Sequence, residues 1–63
     1  MTLNGEPIDT FEGTVAEFVD AQLLRREGVA VAVNGEVVPR SLWSVTQLDA
    51  SSAIEFVTAA AGG

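Results

Sequence analysis

From position 29 the chain reads Val29-Ala30-Val31-Ala32-Val33-Asn34-Gly35. β-branched residues at every second position suit a pleated, half-buried strand. The three Val side chains share one face, and Ala30 and Ala32 share the other. Asn-Gly is the strongest short hairpin signal, because a type I′ turn needs φ > 0 at both central residues. The strand must therefore reverse at Asn34-Gly35 into Glu36-Val37-Val38, which Pro39 ends. A second Asn-Gly pair, Asn4-Gly5, predicts another hairpin, Met1–Asn4 against Glu6–Asp9. Leu3 and Ile8 would point inward. Pro7 has no N–H to give, so its strand belongs at an edge.

Between the hairpins the period changes. Thr14-Val15-Ala16-Glu17 fits a capping box, with Thr14 on the Glu17 amide and Glu17 reaching back to the Thr14 amide. Phe11 can pack over the helix entrance. Val15, Phe18, Val19 and Leu23 recur at helical spacing as one apolar stripe. Glu17 near the start and Arg25 and Arg26 near the end suit the helix dipole. Gly28 is a natural stop. The pattern predicts a helix over about 15–26.

Past Pro39, Ser41-Leu42-Trp43-Ser44-Val45 reads as a short helical turn whose Leu42 and Trp43 lid the core. For Trp43 a core plug is favoured over a ligand-stacking platform, since aromatics dominate core burial. Asp49-Ala50-Ser51-Ser52 is a polar turn before the last strand, Ala53–Thr58. Glu55 must face water, which sends Ile54, Phe56 and Thr58 inward. Val57 is left outside with Ala30 and Ala32, a small apolar face suited to contact with a partner.

The expected fold class is α+β. One helix packs across one face of a mixed sheet, with a short helical turn beside it. The first and last strands would be parallel neighbours in the middle. This is a ubiquitin-like, or β-grasp, roll. Residues 1–58 would form the domain and residues 59–63 a flexible tail, Ala59-Ala60-Ala61-Gly62-Gly63.

At 63 residues, a domain buries only about 60% of its unfolded surface and has no room for an internal catalytic cleft. There is no Cys and no His. Disulfides, thiolate metal sites and thiol nucleophiles are excluded, and the commonest general base and metal ligand are missing. No catalytic residue, metal site or bound cofactor is expected. Nine Asp and Glu against three Arg give a formal net charge of −6. That balance argues against nucleic acid and against an anionic membrane. It would steer the chain towards a basic protein surface, or simply keep a small domain soluble. The chain has no Lys; a general Arg bias is the favoured account, and the functional alternative is that an activated acyl group would find no side-chain amine on its own fold. No apolar run approaches the roughly 18 residues of a membrane span, and the start lacks the layout of a signal peptide. A soluble cytoplasmic protein is the expectation.

What remains is the tail. Gly has no Cβ and takes nearly any φ/ψ, so a terminal carboxylate on Gly63 could be threaded into a narrow site. Gly62 and Ala61 would be needed to let it in. Five residues past Thr58 reach at most about 17 Å. The plainer alternative is a frayed end.

The chain resembles the ThiS-type sulfur carriers of thiamine biosynthesis. The resemblance lies in Leu3-Asn4-Gly5-Glu6, in Gly13-Thr14-Val15, in the run from Val31 through Asn34-Gly35-Glu36-Val37-Val38-Pro39-Arg40 to Trp43, and in Gly62-Gly63. It departs at Asp49-Ala50-Ser51-Ser52, where members often have an Asp-Gly-Asp-like acidic turn. Molybdopterin synthase small subunits share the fold and the Gly-Gly end but carry a Pro before the tail, which Ala59-Ala60-Ala61 lacks. The resemblance implies a carrier and no enzyme. An adenylyltransferase of the ubiquitin-activating type would use ATP and Mg²⁺ to turn the Gly63 carboxylate into an acyl-adenylate. A persulfide would supply sulfur, and a thiazole synthase would accept it from the thiocarboxylate. The alternatives are a sulfur carrier for molybdopterin, sulfur amino acids or tRNA thiolation, and a ubiquitin-like binding or modifier module.

Overall fold

The Asn-Gly pairs do turn the chain. Asn4 and Asn34 both lie at φ 52° and Gly5 and Gly35 both at φ 84° in the computed structural model, which describes residues 1–22 and 27–58. The first turn joins β1 (Thr2–Leu3) to β2 (Glu6–Pro7). The second joins β4 (Val29–Val33) to β5 (Glu36–Val38). The last strand, β7 (Ala53–Thr58), runs parallel to β1 and antiparallel to β4. The sheet order is β2-β1-β7-β4-β5, so β7 is central and Pro7 lies on an edge strand. This is the expected mixed sheet.

Each turn also reaches β7 through its Asn. Asn34 receives the Ala53 N–H on its side-chain oxygen at 2.9 Å, while its own N–H donates to the Ala53 carbonyl at 2.8 Å. Asn4 donates its N–H to the Ile54 carbonyl at 2.8 Å and accepts the Phe56 N–H on its side-chain oxygen at 2.9 Å.

The capping box forms as the spacing requires. The Thr14 N–H donates to Glu17 Oε1 at 2.9 Å, and the Glu17 N–H donates to Thr14 Oγ1 at 3.2 Å. The helix α1 is described over Val15–Gln22 and buries Val15, Ala16, Phe18 and Val19. These close a core with Val31, Trp43, Leu48 and Ile54. Phe18 sits between two rings, Phe11 edge-on at 5.3 Å and Phe56 tilted at 5.7 Å. Such pairs add about 0.5–1.5 kcal/mol each beyond buried area. Gly28, at φ 74°, stands before β4. Leu23, Arg25, Arg26, the side chain of Thr58 and the tail 59–63 lie outside the described residues.

Two features depart from the sequence reading. The helical turn is a 3₁₀ turn over Arg40–Leu42, and only Trp43 enters the core. Trp43 is 2% exposed, whereas Leu42 is 47% exposed. Adjacent residues of a three-residue turn point about a third of a turn apart, so seating Trp43 swings Leu42 outward. The missing apolar contact comes from Leu48, which is buried. It lies in a second, two-stranded sheet of β3 (Gly13–Thr14) against β6 (Gln47–Leu48) that the sequence reading lacks. The helix start is tied to the same segment. The Val15 N–H donates to the Thr46 carbonyl at 2.9 Å and the Ala16 N–H to the Trp43 carbonyl at 3.0 Å.

Candidate functional site

With Val29, Val31 and Val33 turned to the helix, the other face of the sheet is left open. Antiparallel partners directly opposite each other share a face. Ala30 lies opposite Val57, and Ala32 lies opposite both Glu55 and Val37. Ala30 is exposed, Ala32 is half-buried and Val57 is 63% exposed. The structure thus brings Ala30, Ala32 and Val57 together on the outer face, as the alternation requires.

Val37, 71% exposed, extends the patch to the β5 edge. Sequence reasoning did not single it out, although the signal was present. A two-residue turn at Asn34-Gly35 fixes Val33 opposite Glu36 and so places Val37 beside Ala32. Glu55 puts one carboxylate beside the apolar residues. Side chains this small make a surface of low relief, and an apolar patch of this kind suits a partner of complementary shape.

The patch and the tail share β7. Val57 and Phe56 are its last described side chains, and the chain continues directly into residues 59–63. The candidate reactive residue Gly63 and the access residues Gly62 and Ala61 lie outside the described residues. Among the described residues no cavity opens, and no group of three or more acidic, His or Cys side chains could hold a metal ion. No described helix is long and apolar enough to cross a membrane.

The polar turn over Asp49–Ser52 is well satisfied. Asp49 Oδ1 accepts the Ser51 N–H at 2.8 Å and the Ser51 hydroxyl at 2.6 Å, and Ser52 Oγ approaches it at 3.4 Å. The Asp49 N–H in turn donates to Ser52 Oγ at 3.0 Å. These bonds, those from Ser51 foremost, hold the Asp49 carboxyl below its ordinary value of 3.8. A hydroxyl pair, Ser51 and Ser52, serves the turn.

A sequence profile of the ThiS family matches residues 1–63. Among solved structures, the crystal structure of the thiamine biosynthesis protein ThiS from Geobacter metallireducens is similar at 32% identity and a TM-score of 0.84. That similarity covers 98% of this chain and 96% of the other. No curated protein sequence matches the chain.

Proposed function

Because the chain belongs to the ThiS family, we propose that it is a sulfur carrier of thiamine biosynthesis whose Gly63 carboxylate is the working group. The observation that carries this reading is that the family match runs through residue 63 and so takes in Gly62-Gly63. Residues 1–58 are the docking domain in this reading, and residues 59–63 are the segment that enters the partner.

A carboxylate is a poor electrophile. One of its oxygens attacks the α-phosphorus of MgATP on an adenylyltransferase of the ubiquitin-activating type, and pyrophosphate leaves. The terminal sulfur of a persulfide then attacks the acyl carbon, and AMP leaves. A second thiol cleaves the resulting S–S bond and releases the thiocarboxylate, whose sulfur passes to a thiazole synthase. ATP, Mg²⁺ and the sulfur donor all belong to the partners. The task of this chain is to dock through Ala30, Ala32, Val37 and Val57 and so raise the effective concentration of its carboxyl in the partner's site.

The test is pyrophosphate release with the activating enzyme, run beside thermal unfolding. Deleting Gly63 draws the carboxyl back by about 3.5 Å, well outside the tolerance of a positioned reaction. The deleted protein is expected to melt like the wild type and release no pyrophosphate. Full loading of the deleted protein would contradict the assignment of Gly63.

A further inference from the structure

β7 is the strand that delivers the tail, and its two edges are held differently. β4 accompanies it over its length, from Val33 opposite Ile54 to Val29 opposite Thr58. On the other edge β1 pairs only with Ala53 and Ile54. The next N–H on that edge belongs to Phe56, because alternate residues of a strand turn their N–H to the same side. Had β1 continued, the Asn4 carbonyl would have received it. At Asn4, however, the chain turns into the hairpin with φ 52°, and the side-chain oxygen accepts the Phe56 N–H instead, at 2.9 Å. Asn34 uses the same device at the far end of β7, where its side-chain oxygen receives the Ala53 N–H.

We infer that Asn4 is a positioning residue for the carrier reaction: its side-chain oxygen holds the β1-side edge of β7 at Phe56, two residues before the strand ends at Thr58 and the reactive segment begins. This role rests on the carrier reading above. Asn4 gives Phe56 a second anchor just before the tail. Without it, β4 supplies the main-chain pairing of the described strand beyond Ile54, and β1 supplies none. β4 still holds Val57 opposite Ala30, so the docking face keeps its place, while the tail leaves a strand end bonded along one edge only. A smaller share of docked complexes would have the carboxyl in place, so kcat falls and KM stays.

Three variants separate this role from simple stability. Asn4→Gly removes the acceptor but suits φ > 0. Asn4→Asp keeps both an acceptor oxygen and the left-handed tolerance. Asn34→Gly removes the matching bond at the end of β7 remote from the tail. Each full-length protein is assayed for amide hydrogen exchange at Phe56 and for pyrophosphate release with the activating enzyme and ATP. Asn4→Gly is expected to speed exchange at Phe56 and lower kcat about five- to tenfold at unchanged KM, the scale of ordering one more residue. Asn4→Asp should restore both readouts, and Asn34→Gly should keep the wild-type kcat. A wild-type kcat for Asn4→Gly, or an equal loss for Asn34→Gly, would overturn the role. A wild-type protein that releases no pyrophosphate while Asn4→Gly still speeds exchange at Phe56 would overturn the carrier reading itself, and this role with it.

Discussion

The indole N–H of Trp43 donates to the main-chain carbonyl of Val38 at 2.9 Å. The bond ties the core's largest buried side chain to the end of β5, with the Arg40 guanidinium 5.2 Å from the ring centroid. A 63-residue domain has roughly 3–9 kcal/mol of stability in total. Trp43→Ala, at about 3–5 kcal/mol, should remove much of that stability. Trp43→Phe, which keeps a ring but loses the donor, should cost about 1–3 kcal/mol. Leu42→Ala should cost about 0.5 kcal/mol or less, as expected of a surface position. Urea unfolding of the three variants checks the order.

Val57 stands on the outer face opposite Ala30. Val57→Asp should leave the fold in place, at a cost of about 1 kcal/mol or less in strand propensity. It should also weaken docking to the activating enzyme at least tenfold, because a carboxylate in a dry interface is costly. Isothermal titration beside thermal unfolding measures both. Undiminished binding would move the docking face elsewhere.

Asp49 gives a pH dependence of known sign. Its carboxyl is held below 3.8 in the folded chain by the Ser51 and Ser52 hydrogen bonds. Between the folded and unfolded values the unfolded state binds more protons, so stability rises with pH there. The contribution is fully present above the unfolded value and disappears as pH falls through the folded one. Asp49→Asn cannot titrate. The wild type should therefore melt above this variant at pH 7, and the two should converge as pH drops below about 3.8. Melting temperatures from pH 7 to pH 2 test this; a constant gap would contradict it.

Thr14→Ala removes one arm of the capping box and should cost about 1 kcal/mol. Glu17→Gln, which keeps an acceptor for the Thr14 N–H, should cost less. Denaturant midpoints at pH 7 give the comparison.

Local signals carried most of the fold. Both hairpins, the capping box and the alternation of β4 and β7 are each written within a few neighbouring residues, and those patterns also place Ala30, Ala32 and Val57 on one face. What was not legible depends on distant pairs. β3 and β6 are two residues each, too short for periodicity, and join positions more than thirty residues apart. The Asn4–Phe56 bond spans 52 positions, so Asn4 read only as a turn residue. Leu48 fills the core place expected of Leu42, because an apolar residue beside Trp43 carries no mark of which way a 3₁₀ turn will face.

The carrier reading is tested most directly by the intact mass of the protein after incubation with the activating enzyme, MgATP, a persulfide donor and a thiol. The expected result is a gain equal to sulfur replacing oxygen, localised by fragmentation to Gly63 and absent when ATP is omitted. Localisation matters, because oxidation of Met1 adds an oxygen of nearly the same mass. An unchanged Gly63 under conditions in which the activating enzyme is shown to be competent would contradict the account.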